Sequence, residues 1–193
     1  YAATKFEEIE VVAFEPSTSN TRVLSRNISL NKLTNKINIF QLALSDTPNI
    51  ISEFKERNFQ EGGSMSTFKE NFDEKGNIIE NSLIENNYKI FGTSINYLIE
   101  NNICKTPNYI KCDVDGLEHL ILKGADKILS DNNLLEISIE ANPKFKKQYE
   151  KINEIMKINN FYQATYYIKN TKKNIIDNEN YGNLLFKKKI NNV

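Results

Sequence analysis

The strongest constraint on this chain is an alternation. Short apolar runs, too brief to be helices, recur between stretches of helical periodicity. Ile9 to Phe14 (IEVVAF), Ile37 to Leu44 (INIFQLAL), Tyr109 to Cys112 and Leu134 to Ile139 (LLEISI) are compact and rich in β-branched residues. Runs of this length suit strands buried on both faces, as in a parallel sheet. Residues 1–6 read as the tail of a helix. Pro16 ends the first run, and Ser17 to Asn20 offer N-caps for a helix through about residue 33. Apolar positions 95, 98 and 99, then 117, 120, 121, 125, 128 and 129, then Phe145, Tyr149, Ile152 and Met156 mark further helices. Phe161 to Ile168 and Leu184 to Lys187 close the chain as an antiparallel pair across a polar loop. Strands alternating with helices predict an α/β fold with a mostly parallel sheet, helices on both faces and right-handed connections.

Nothing in the 193 residues marks a linker, so a single domain over 1–193 is expected. Residues 50–92 interrupt the alternation and read as an insertion or lid. Within it, Ile50 to Phe54 and Met65 to Phe68 are expected to pair across Gly62-Gly63, with Asp73 to Asn87 as a polar excursion.

Composition excludes several classes of function. Lys and Arg number 25 against 25 Asp and Glu, without a dense basic block, so nucleic acid is not an expected partner. The longest apolar runs are far short of a membrane span, and no leader is visible, so the expectation is a cytoplasmic protein without a membrane partner. Cys104 and Cys112 suggest neither a disulfide framework nor a zinc site, and Cys112 reads as a small core hydrophobe. No metal site is expected.

The chemistry gathers where strands end. Asp113, Asp115 and Glu118 stand within NYIKCDVDGLEHLILKGA, where a buried strand hands over to a helix. Glu15 ends the first run, Asp46 follows the second and Glu140 ends the fourth. In a parallel sheet these ends share one edge, the edge at which ligands bind. Glu15 suits a ribose, because a carboxylate can accept hydrogen bonds from both hydroxyls of a diol; it equally suits the N-terminus of the next helix. Asp46 reads as a partner for a base amino group or as a turn aspartate before Pro48. Asp113 has the strongest functional placement. Asp115 is a second catalytic candidate or an N-cap beside Gly116, and Glu118 equally suits the simple role of complementing its helix dipole. His119, the only histidine, reads as a proton shuttle among carboxylates or as a structural residue.

VVAFEPSTSNTRVLSRNISLN, QLALSD and IKCDVDGLEHLILKGA, in that order, resemble the FkbM-type methyltransferases, as does the tail NYGNLLFKK. The resemblance implies a Rossmann-like class I sheet ending in an antiparallel hairpin, with S-adenosylmethionine as cofactor. It implies O-methylation of a small-molecule or glycan acceptor. Carried over by position, Glu15 and Pro16 would lie at the ribose, Ser45 and Asp46 at the adenine, and Asp113 beside the methyl donor and acceptor hydroxyl, with Asp115 or His119 in support. The family usually has Glu where this chain has Asp115, while Gly116 and Glu118 match. The family's first strand and Gly-rich loop are expected before Tyr1. Two rival readings are a binding protein that keeps the fold without turnover and a nicotinamide-dependent dehydrogenase.

Overall fold

The computed structural model describes residues 1–164 and 182–189. A short helix α1 (Ala2–Lys5) leads to strand β1 (Val11–Phe14), helix α2 (Thr18–Leu30) and strand β2 (Ile37–Phe40). β1 and β2 pair in parallel, Val11 against Ile37 through Phe14 against Phe40. The expected helix between them forms because Ser17 caps it: the Ser17 hydroxyl accepts the Asn20 N–H at 3.4 Å.

The run 37–44 is not one strand. After β2 the chain turns at Gln41-Leu42 and re-forms as β3 (Ala43–Leu44) in a different sheet. That sheet contains β4 (Ile50–Glu56), β5 (Ser66–Phe68) and β6 (Asn86–Thr93), in the order β3-β6-β4-β5. The hairpin across Gly62-Gly63 is present, with Phe54 opposite Phe68. β6 lies largely where the sequence predicts an insertion. Its sequence NNYKIFGT alternates, exposing Asn87, Lys89 and Phe91 while Gly92 and Thr93 are buried. Pairing along all of β4 holds it, from Ile50 against Gly92 to Glu56 against Asn86.

Helix α3 (Ile95–Glu100), capped by Ser94, precedes β7 (Tyr109–Cys112). The helix expected after Gly116 is two helices, α4 (Glu118–Lys123) and α5 (Asp126–Leu129). Gly124 stands at the break, and its lack of a side chain has a steric reason. Gly124 passes so close to the Ser45 carbonyl that a Cβ there would stand 2.2 Å from its oxygen. Strand β8 (Glu136–Ala141), helix α6 (Lys146–Ile158) and strands β9 (Phe161–Gln163) and β10 (Gly182–Lys188) complete the described chain. The remainder of the strand expected to Ile168, and the polar loop after it, lie outside the described residues. These strands form a third sheet, β7-β8-β10-β9. β7 and β8 are parallel, and β10 runs antiparallel to both β8 and β9.

The β1-β2 pair is parallel, but both four-stranded sheets are mixed, so the strands are not mostly parallel. The expectation of helices on both faces also fails at β8. Ile137, Ile139 and Ala141 are buried, but Glu136, Ser138 and Glu140 between them are only half-buried. The sequence EISIEA alternates with period two, the signature of a one-faced strand. Its apolar face meets Ile121 and Leu122 of α4, Ile128 and Leu129 of α5, and Ile152 and Met156 of α6 in one buried cluster. No helix among the described residues is long and apolar enough to cross a membrane.

Candidate functional site at the end of β7

β7 delivers Asp113 to the carboxyl end of its sheet, and the chain must reverse into α4 within a few residues. It does so through two consecutive left-handed residues, Asp115 (φ 55°) and Gly116 (φ 110°). Aspartate tolerates this region through local hydrogen bonds. Position 116 needs glycine for space as well, because a Cβ would meet the Asp73 carbonyl oxygen and the Glu74 Cα at 3.1 Å. Residues 73–74 of the expected insertion thus lie directly against the turn.

The three acids of the turn have different surroundings. Asp115 faces the hairpin: its Oδ2 accepts the Met65 N–H at 2.6 Å and the Ser66 N–H at 3.3 Å. Burial raises its affinity for a proton more than those two amides lower it, and Glu74 and Asp113 add to the rise. Glu118 is fully buried. Its Oε1 accepts the Val114 N–H at 2.9 Å and the Gly116 N–H at 3.4 Å. Its Oε2 accepts the Gln148 side-chain amide at 2.5 Å. Burial again outweighs these donors and pushes its pKa up. Asp113 faces outward. Burial works to raise it, but the Lys111 ammonium, with Glu140 and Asn183 beside it, holds it below the usual carboxylate range. Lys111 Nζ also donates to Asn183 Oδ1 at 3.1 Å, so β7, β8 and β10 each bring a polar group to this corner.

Glu15 stands at the end of β1. Its Oε1 accepts the Ser17 N–H at 2.9 Å, and its carbonyl accepts the Thr21 hydroxyl at 3.0 Å across Pro16. Burial raises its pKa against the Ser17 amide and the Asn20 side chain, and the negative charges of Glu56 and Asp115 raise it further. The negative charge of Asp115 thus contributes to the rise at Glu15, as that of Asp113 does to the rise at Asp115.

Asp46 is engaged elsewhere. It accepts from Lys69 at 3.0 Å, Lys123 at 2.9 Å and the Thr47 hydroxyl at 3.0 Å. Burial alone would raise its pKa. The two ammoniums and the hydroxyl outweigh it and hold the carboxyl far below its ordinary value. Ser45 is buried against Gly124, and its N–H donates to the Thr93 carbonyl at 2.8 Å. His119 is 5% exposed and packed among rings, with centroids 6.3 Å from Phe72 and 5.9 Å from Phe145. Burial and the charge of Lys147 lower its pKa, and its Nδ1 has no hydrogen-bond partner among the described residues.

Several site residues carried weak sequence signals. Gln148 had a readable one: it stands at the four-residue spacing of Ile152 and Met156, a polar residue in an apolar stripe, and all three are buried. Asn142, in the Glu140-Ala-Asn-Pro segment, reaches Glu74: its side-chain amide donates to the Glu74 carbonyl at 2.9 Å. Arg57, whose Nη2 donates to Glu74 Oε2 at 2.6 Å, gave no signal. Among the described residues no group of three His, Cys, Asp or Glu is placed to hold a metal ion.

The family model for the Methyltransferase FkbM domain matches residues 1–168. No curated protein matches this chain. The crystal structure of Methyltransferase FkbM from Methylobacillus flagellatus KT is similar over 92% of this chain, at 16% identity and a TM-score of 0.55. The chain covers 36% of that one, so it spans little more than a third of the neighbour's length.

Proposed function

The chain belongs to the FkbM methyltransferase family, and from that premise we propose that it transfers a methyl group from S-adenosylmethionine to a hydroxyl of a sugar, glycan or small metabolite. We read the strand ends as the class I, Rossmann-like cofactor edge. The observation that carries this reading is the placement of acids at strand ends, Glu15 directly after β1 and Asp113 and Asp115 in the turn directly after β7. A concentration of negative charge suits a cationic ligand.

The donor set fits such a cofactor. Glu15 accepts the Ser17 N–H through Oε1; a carboxylate has about four acceptor positions, which leaves capacity for a ribose diol. Bound S-adenosylmethionine supplies an electrophilic methyl on a sulfonium. The chain's own part is alignment and proton acceptance. Asp113 is outward-facing and held ionised by Lys111, so it can orient an acceptor hydroxyl and take its proton as the oxygen gains the methyl group. Asp115 and His119 serve the same site by holding the hairpin and residue Phe72 against the turn.

Calorimetric titration of the full-length protein with S-adenosylmethionine tests the reading. Binding is expected, and Glu15→Ala should weaken it by at least ~10-fold, the loss of a charge-assisted hydrogen-bond pair. No binding to folded full-length protein would refute the cofactor. Unchanged affinity in Glu15→Ala would refute the ribose assignment.

A further inference from the structure

Beneath the turn lies a polar circuit that the proposed chemistry does not use. Glu118, Gln148 and Asn142 are 0%, 1% and 4% exposed. Glu118 accepts the Val114 and Gly116 amides and the Gln148 side-chain N–H. Gln148 Oε1 accepts the Asn142 backbone N–H at 3.0 Å. Asn142 then donates from its side chain to the Glu74 carbonyl at 2.9 Å, in the segment that lies against Gly116. Glu74 returns to the hairpin through Arg57, and Asp115 binds the same hairpin through Met65 and Ser66. Its long links, Glu118 to Gln148 and Asn142 to Glu74, span 30 and 68 residues of sequence.

A fully buried carboxylate is costly to maintain, and ordinary core packing would be served as well by an apolar residue. What a carboxylate offers here is direction. Two backbone amides of the left-handed turn converge on one oxygen, which fixes the 113–114 and 115–116 peptide planes and the exit of Asp113 from β7. The other oxygen fixes Gln148, and through it the loop that grips residue 74.

We infer that Glu118 is a positioning residue: with Gln148 and Asn142 it sets the orientation of the turn 113–116 and registers the segment around Glu74 over it. The proposed active-site acids and the wall that covers them are thereby placed by one buried circuit. What the turn is positioned for rests on the methyl-transfer reading; the coupling itself does not.

The chemistry of the circuit supplies its own test, an exchange of partners. In Glu118→Gln the new side-chain amide faces the Gln148 amide, donor against donor. In Gln148→Glu two carboxylates meet. In the double variant Glu118→Gln/Gln148→Glu each hydrogen bond can be remade with polarity reversed. The side chain at position 118 then accepts the turn amides through its oxygen and donates its own N–H to position 148, which still accepts the Asn142 N–H. The measurement is amide hydrogen exchange on the full-length protein. Each single variant should speed exchange at Met65, Ser66 and residues 74–77 by at least ~10-fold, with the strands of the β7-β8-β10 core much less affected. The double should return those sites to within about twofold of the parent. Loss of a merely structural carboxylate would not be repaired by the exchange. If a single variant does not fold, recovery of folding in the double reads the same coupling. Asn142→Ala cuts the last link, together with the local Lys144 N–H to Asn142 Oδ1 bond at 3.0 Å, and should release residues 74–77 while leaving Met65 and Ser66 protected. Unaltered exchange in the folded singles, failure of the double to recover, or a uniform effect of Asn142→Ala would overturn the inference. Calorimetry with S-adenosylmethionine on the same samples separates the two claims. Failure of the parent to bind it removes the methyl-transfer reading and leaves the coupling standing. Intact exchange behaviour in the singles removes the coupling and leaves the cofactor reading standing.

Discussion

The two hydrophobic clusters of this molecule are built on different principles. Among the described residues, the one around β7, β8 and β10 joins fourteen buried side chains from strands and helices, including Leu129, Leu134, Ile137, Ile139 and Ile152 at 0% exposure. The one beneath the β3-β6-β4-β5 sheet has four: Ala43, Phe54, Phe68 and Leu117. What the second sheet lacks in apolar burial it makes up in directed polar contacts: Asp115 to Met65 and Ser66, Arg57 to Glu74, Asn142 to Glu74, and Lys69 to Asp46. Apolar burial is non-directional and sets how much stability there is. Hydrogen bonds and ion pairs contribute less but fix orientation. The first region is a platform, and the second is a cover registered onto it.

The contrast is easiest to break at the platform. Ile137→Ala removes a fully buried side chain from the central strand and should cost about 2–5 kcal/mol of global stability in denaturant unfolding. A loss below about 1 kcal/mol would mean that the platform does not depend on its packing. The next effect belongs to the cover. Arg57→Met leaves Glu74, a largely buried carboxylate, without its guanidinium, and should cost about 1–3 kcal/mol. Exchange should accelerate around residue 74 before it does in β8; simultaneous acceleration would show one cooperative unit instead of two. Smaller again is Lys123→Met. Its ammonium is exposed where it meets Asp46, so the expected loss is about 0.2–1 kcal/mol and should shrink as salt is added.

The smallest test is one of sign. Folding raises the Asp115 pKa above its ordinary 3.8, so its favourable contribution is complete below that value and is lost as pH rises through the folded pKa. Asp115→Asn cannot ionise, so its melting temperature relative to the parent should rise as the pH climbs from 3.8 through the folded pKa. Asp46 is shifted the other way, and its contribution is present at neutral pH and lost as acid protonates it. A relative melting temperature that falls over that range in Asp115→Asn would contradict the placement of Asp115 against the hairpin.

The platform was largely legible in the sequence, because β-branched runs and four-residue helical spacing report burial directly. The cover was not. β6 was hidden because Asn86 and Asn87 open it, and asparagine is depleted in strands. Its partner β4 supplies the stability that propensity denies. The split of residues 37–44 was invisible for a similar reason: the apolar run is continuous, and only the presence of β6 draws Ala43 and Leu44 into another sheet. At the site, Glu15, Asp113 and Asp115 could be found from strand ends alone. The division among them could not. That Asp46 is held by two lysines and Glu118 by three N–H groups depends on contacts 23 to 77 residues away in the first case and four, two and 30 in the second. Glu118 in particular reads in sequence as a first-turn acid complementing its helix dipole, and nothing beside it announces Gln148, 30 residues on.

The left-handed turn has one more consequence. Backbone amides gathered at a strand-to-helix turn are a common seat for phosphate. Here the Val114 and Gly116 amides already point at an internal anion, the Glu118 carboxylate, and Asp113 and Asp115 stand on either side of Val114. A pyrophosphate arriving at this turn would find its donors occupied and its surroundings repulsive, whereas a cation would meet neither obstacle. The Val114 and Gly116 donors of this turn are spent on a carboxylate of the chain itself.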